Sequence, residues 1–275
     1  MSGAPAPRGA GAESLGLASE PSGRARAIEE AALRAWPALT ESDFDGWRLR
    51  FADGYTRRSN SITPLEPSRL DLDEKIATCE RIYADRGLPA IFRVTPFAPE
   101  ALDERLDRRG YARGDRSEVR ALPLVASERL PPSPARAPRA GSVRVATLSL
   151  DRWLDVFATL SGSADANRAA HRQILAAVPG QRRLLVLVAD DRPVSCGMSV
   201  LDAEGRFGLF DLVTASGYRG RGFGGTLLRR ALAWGRRAGG QEAYLQVLEG
   251  NTGAARLYER AGFEGVYRYH YRERP

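Results

Sequence analysis

The 275-residue chain is 43% apolar and 27% charged, with a formal net charge of +7. This composition is ordinary for a globular protein with a real core, and the length suits one large domain or two modest ones. Almost all the positive charge is arginine, Lys75 being the only lysine, and acidic residues are interspersed throughout. That pattern argues against nucleic acid as a partner and for a small polyanionic ligand.

Residues 1–24 are Gly, Ala, Ser and Pro with few large apolar groups. They cannot offset their ordering entropy and are expected to be disordered. They hold no apolar core of signal-peptide length, and no stretch approaches the ~20 apolar residues of a membrane span. A soluble, cytoplasmic protein with no membrane partner is expected. Cys79 and Cys196 lie far apart, with neither metal-ligand spacing nor a disulfide framework. They read as buried apolar thiols, and no metal is expected.

Residues 25–125 give a first run of elements. "ARAIEEAALRAW" reads as a helix, and "GWRLRFADGYTRRSNSITPL" as two strands around a hairpin signal at Asp53–Gly54. A helix ending at Gly87, the strand "PAIFRVT", the helix "PEALDERLDRRGY" and the strand "SEVRALPL" follow. Residues 126–141 are Pro-rich and read as an extended linker.

Residues 142–275 give a clearer run. The strand "SVRVATL" precedes two helices, the second carrying His171, which reads as surface or core filler. Three strands follow, "RRLLVLVAD", "RPVSCGMSVL" and "GRFGLFDLVT", then a glycine turn and a helix over 224–238. The strand "EAYLQVL", a helix ending at Gly262 and the strand "EGVYRYHYR" close the chain. A meander feeding two helical crossovers implies an α/β (α+β) fold with a mixed, mainly antiparallel sheet flanked by helices. The tails of the two halves also match. "FRV" followed by "LDRRGY" (106–111) mirrors "LQV" followed by "YERAGF" (258–263), which suggests internal duplication.

The glycine turn, "YRGRGFGG" (218–225), places four glycines and two arginines just before a helix. A helix N-terminus has orphan N–H groups and the positive end of the dipole, so with bare backbone around it the turn suits a phosphate or pyrophosphate. A nucleoside triphosphate loop would need Gly-Lys-Ser/Thr, and this turn has no lysine. A dinucleotide fingerprint would stand early in a βαβ unit, whereas this motif comes after a meander.

Arg219-Gly220-Arg221-Gly222-Phe223-Gly224 resembles the (Q/R)xxGx(G/A) signature of the GCN5-related N-acetyltransferases. Asn251, Ala254, Tyr258 and Gly262-Phe263 stand where that family places NxxAxxxYxxxGF. The resemblance covers roughly residues 142–272. It implies the acyl-CoA N-acyltransferase fold, in two tandem copies, and acetyl-CoA as acyl donor. The amides of Gly220, Arg221, Gly222, Phe223, Gly224 and Gly225 would hold the pyrophosphate, with Arg219 adding charge. Leu212, Val213 and Thr214 would pair with the pantetheine arm, and Asn251 would contact the donor near its pantetheine or sulfur end.

The implied reaction is direct attack of a primary amine, on a small molecule or peptide, through a tetrahedral intermediate. Tyr258 is the expected acid for the thiolate, since a tyrosine titrates near 10. Asp211, amid apolar residues, is a candidate base. Arg57, Arg58 and Asn60 in the polar "YTRRSNS" stretch are candidate acceptor contacts, as is His270 on the last strand. In the first half, alignment of Gly110 with Gly262 puts Leu106 at the tyrosine position and Pro99 at the asparagine position. That half has no RxxGxG and is expected not to bind CoA in the family's way. The competing readings are a non-catalytic acyl-CoA binding or sensing module and a nucleotide-binding regulator.

Overall fold

The computed structural model describes residues 22–114, 116–124, 142–163 and 167–274. The tail through residue 21 and the Pro-rich stretch 126–141 lie outside the described residues. In chain order the elements are α1 (Gly23–Ala35), β1 (Thr40–Phe44), β2 (Trp47–Phe51), β3 (Ile62–Pro64), α2 (Leu72–Ala84), β4 (Phe92–Val94), α3 (Leu102–Arg108), β5 (Ala112–Arg113) and β6 (Ser117–Pro123). The second half follows as β7 (Val143–Thr147), α4 (Leu150–Ser161), α5 (Arg168–Ala176), β8 (Gln181–Ala189), β9 (Arg192–Leu201), β10 (Arg206–Thr214), α6 (Phe223–Arg237), β11 (Glu242–Leu248), α7 (Thr252–Arg260) and β12 (Glu264–Glu273).

All twelve strands join one sheet, in the order β1-β2-β3-β4-β12-β6-β11-β10-β9-β8-β7, with β5 alongside β12. The order contains an exchange. β6, from the first half, lies against β11 over its whole length, from Glu242↔Pro123 to Leu248↔Ser117. β12, from the second half, lies against β4 at His270↔Val94 through Arg272↔Phe92. The two exchanged strands then pair with each other, antiparallel. Each half repeats a parallel pair joined by a crossover helix, β3–β4 around α2 and β10–β11 around α6. Helices α1, α4 and α5 cover one face, where Trp36, Trp153, Phe210, Tyr244 and Tyr269 are buried. The other face carries α6 and α7 over Phe207, Leu228 and Leu245, and α2 and α3 over Trp47, Ile76 and Phe92.

Two local expectations are corrected. The tight hairpin turn is at Asp45–Gly46, where both residues have positive φ (44° and 81°) and join β1 to β2 in register at Phe44↔Trp47. Asp53–Gly54 instead opens a longer connection, and the polar "YTRRSNS" segment is not a strand: Arg57–Ser59 is a short 3-10 helix. The reason is Asn60. Its buried amide accepts from the N–H of Ala52 and Gly54 and donates to the carbonyls of Ala52, Tyr55 and Thr56. A side chain that satisfies so much local backbone competes with strand pairing.

A buried ion pair locks α1 to β4 and the exchanged β12. Arg93 on β4 makes two hydrogen bonds, of 3.0 and 2.8 Å, to the Glu29 carboxylate on α1, and both side chains are 0–1% exposed. The Tyr267 hydroxyl donates to Glu29, and the Arg93 guanidinium lies 3.6 Å from the Tyr269 ring centroid. Burial alone would lower the Arg93 pKa, but the Glu29 carboxylate outweighs it and keeps the guanidinium charged. Removing one partner strands the other charge in the core. Glu29→Ala is therefore expected to lose about 3–5 kcal/mol in urea denaturation, far more than a surface pair would contribute.

Candidate active site

The glycine turn leaves a run of backbone amides without partners at the start of α6. Gly222 is the N-cap of α6 in a left-handed conformation (φ 86°), and Gly220 also has positive φ (71°). Intrahelical bonding begins only at Thr226, whose N–H reaches the Gly222 carbonyl at 3.0 Å. The six amides from Gly220 to Gly225 have no acceptor among the described residues. Arg219 folds back to donate to the Thr214 carbonyl (3.2 Å), tying the turn to the end of β10. Arg221 lies over the Tyr218 and Phe223 rings.

β10 and β11 pair only from Arg206↔Glu242 to Leu209↔Leu245. Beyond that point they part, so Phe210–Thr214 and Gln246–Leu248 flank an open wedge. On its other edge β10 stays paired with β9, but the register shifts between Phe210 and Val213, and Asp211 takes a φ of 50°. This bulge keeps Asp211 on the face of Phe210 instead of alternating away. The Val213 carbonyl accepts from Ser195, whose hydroxyl also meets that of Thr214 at 3.0 Å.

Asp211 has a partner that the sequence reading passed over. Oδ2 lies 3.1 Å from Nε2 of His171 on α5. His171 is 3% exposed and is boxed by the rings of Trp36, Tyr55, Trp153 and Phe157 at 5.1–6.1 Å. Behind it a cavity of ≈ 20 Å³, lined by Tyr55, Phe157, Ser163 and His171, has room for a water. Burial and the Asp211 charge push the Tyr55 phenol up to about 12. On β11, Gln246 accepts a 2.8 Å hydrogen bond from Tyr269 of β12. None of these partners is near Asp211 in sequence, and no local pattern marks them.

Tyr258 lies on α7, on the face of the sheet opposite His171, buried to 8% exposure. Its hydroxyl has no hydrogen-bond partner among the described residues, and burial pushes it up to about 12. Asn251 caps α7, its Oδ1 accepting from the Ala254 N–H at 3.2 Å.

The four expected acceptor contacts do not cluster. Arg57 pairs with Glu273. Asn60 is spent on its own loop, as described above. His270 points to the α2–α3 face, 2.7 Å from Asp103, and burial lowers its pKa although Asp103 opposes this. Asp103 lines an open cleft of ≈ 590 Å³ whose walls carry four carboxylates, Glu100, Asp103, Glu104 and Asp107, and two guanidinium groups, Arg113 and Arg272. Only Arg58 reaches the wedge, its guanidinium 5.0 Å from the Trp36 ring and 5.8 Å from Phe210. Cys79 and Cys196 are buried thiols, each pushed up to about 12 by burial.

A family model described as "Probable histone acetyltransferase Rv0428c C-terminal" matches residues 22–272. The chain belongs to the GCN5-related N-acetyltransferases. YobR of Bacillus subtilis (strain 168), an uncharacterized N-acetyltransferase, is 27% identical over 249 residues, 90% of this chain and 97% of YobR. A GCN5-related N-acetyltransferase from Kribbella flavida superposes with a TM-score of 0.65 at 17% identity, covering 92% of this chain and 95% of its own. A tandem protein of the family from the clavulanic acid biosynthesis pathway gives 0.63 at 13% identity, covering 90% and 86%. These two structures share the fold, including its tandem extent. No helix among the described residues of this family member is long and apolar enough to cross a membrane.

The anion reading of the turn can be tested without knowing the ligand. A β-carbon at Gly222 would force a left-handed L-residue, at a cost of about 1–2 kcal/mol, and would shift the aligned amides. Inorganic pyrophosphate is expected to raise the thermal midpoint of the wild type and to leave that of Gly222→Val unmoved in a melting assay.

Proposed function

We propose that this acetyltransferase moves an acetyl group from acetyl-CoA to the primary amine of a small molecule or peptide. The observation that carries the reading is the run of six unpaired amides opening beside the wedge between β10 and β11. Those amides suit a pyrophosphate, and the β10 edge at Leu212, Val213 and Thr214, which β11 leaves unpaired, suits an extended amide-bearing arm. The wedge then leads the thioester through the sheet, from the α6 side to the face that bears Asp211.

Each residue's role follows from its place. An N–H in the Leu212–Thr214 segment is available to a developing oxyanion. Asp211 stands on the acceptor side as the base, and His171 Nε2 holds its carboxylate in the strained bulge. Tyr258 stands on the donor side as the acid for the departing thiolate. Its raised pKa keeps the phenol protonated across the working range, so the proton is present at all pH values below about 12. Tyr258→Phe is expected to lower kcat by about 10²-fold or more with little change in KM for acetyl-CoA. The wild type should show no alkaline fall of kcat assignable to this tyrosine below pH ~10.

The first half offers no second donor site. Asp71 caps α2 with its own carboxylate, accepting from the N–H of Asp73 and Glu74, and those two side chains add negative charge to the same turn. Leu106, at the position equivalent to Tyr258, is fully buried. Calorimetric titration with acetyl-CoA is therefore expected to give one site per chain, abolished by Gly222→Val and retained in a Leu106 variant. Binding without turnover over a panel of primary amines would favour a sensing module instead. Competition by nucleotides lacking the pantetheine arm would favour a nucleotide regulator.

A further inference from the structure

Arg58 is held on a rigid support at the acceptor face. Beneath it the Arg50 guanidinium, fully buried, donates to three carbonyls: Leu33 (2.9 Å), Trp36 (2.7 Å) and Arg58 itself (2.6 Å). The same guanidinium pairs with Glu41 at 2.8 Å. Asn60 and Ser59 fix the rest of the turn through bonds to Ala52, Tyr55, Thr56 and the Pro37 carbonyl. A buried arginine thus sets the height of α1's end, of Trp36 and of the Arg58 backbone together.

The Arg58 side chain is half-buried and lies across the Trp36 and Phe210 rings. Phe210 is the residue before Asp211, at the point where β10 leaves β11. Among the described residues no carboxylate pairs with Arg58, whereas its neighbour Arg57 is tied to Glu273. Its charge is felt by Tyr55, Tyr244 and Tyr271, all neutral phenols of the same face. Beside the wedge this face therefore presents the Asp211 carboxylate and the preorganised Arg58 guanidinium, with Phe210 next to both, while the Glu29 and Arg93 charges of the same face are paired with each other. A guanidinium stacked on rings retains its N–H edge for a planar anion, and a single cation balances one carboxylate better than a phosphate dianion.

We infer that the acceptor is a small amino-carboxylate, its amine at Asp211 and its carboxylate on Arg58. This rests on the transferase reading above and adds the substrate class. The test compares matched acceptors that differ by the carboxylate: β-alanine against ethylamine, and γ-aminobutyrate against propylamine. The wild type is expected to favour the carboxylated member in kcat/KM. In Arg58→Gln that preference should shrink by about 10–100-fold, with acetyl-CoA binding retained as evidence of folding, and Arg58→Lys should recover part of it. An equal loss for both members of each pair, or an unchanged preference in Arg58→Gln, overturns the inference. Phosphoethanolamine outrunning β-alanine also overturns it, in favour of a phosphate. Calorimetric titration of γ-aminobutyrate into protein loaded with CoA separates this inference from the transferase reading. Binding that Arg58→Gln removes, without turnover, keeps the carboxylate site and sinks the transferase. No binding to the wild type sinks the carboxylate site.

Discussion

The antiparallel pairing of β6 with β12 is the contact on which the rest of the molecule depends. Each strand ends one half of the chain and is spent in the sheet of the other, so neither half has a complete sheet by itself. The buried Glu29–Arg93 pair and the tyrosines of β12 then clamp α1 across the junction. Such a cluster stabilises little relative to a well-packed apolar alternative, but it tolerates no loss of a member. Its effect is to set one relative position of the halves, and that position brings Trp36, Tyr55 and Arg58 over the wedge.

The wedge itself depends on two backbone irregularities in the second half. The bulge at Asp211 holds a carboxylate on the face covered by α5, and the turn with positive φ at Gly220 and Gly222 leaves six amides without an acceptor among the described residues. The left-handed Asp211 costs conformational energy, whereas Gly220 and Gly222 adopt positive φ freely. Both irregularities lie where regular pairing would have closed the structure: a straight β10 would continue along β11, and a capping side chain would take up part of the α6 amides. The site is made of hydrogen bonds that the fold leaves open.

The glycine turn and the capped tyrosine helix were legible in the residues because each is local. Arg219 to Gly225 is one contiguous stretch at a helix start, and Asn251 to Phe263 is one helix with its stop, so spacing alone defines them. The surroundings of Asp211 were not. His171 is one of two histidines, on a helix with an ordinary amphipathic pattern, and its partner Asp211 is 40 residues away. Of the polar loop residues, Arg57, Arg58 and Asn60 look alike in sequence. Asn60 turns inward to hold its loop and Arg57 is taken by Glu273, and only the fold separates them from Arg58. The Asp45–Gly46 turn shows the same limit at short range. Two Asp-Gly pairs occur within ten residues, and which one makes the tight turn depends on pairing between β1 and β2.

The sequence by itself determined most of the strands and helices, the glycine turn and the capped tyrosine helix. These are set by periodicity, turn residues and caps acting within a few residues of one another. Only the tertiary structure decided which strand lies beside which, and so the exchange of β6 and β12, the burial of Glu29 against Arg93, and the meeting of Asp211 with His171. Those contacts join residues up to about 240 positions apart. Their energies come from burial and from pairing across the sheet, which no window of sequence contains.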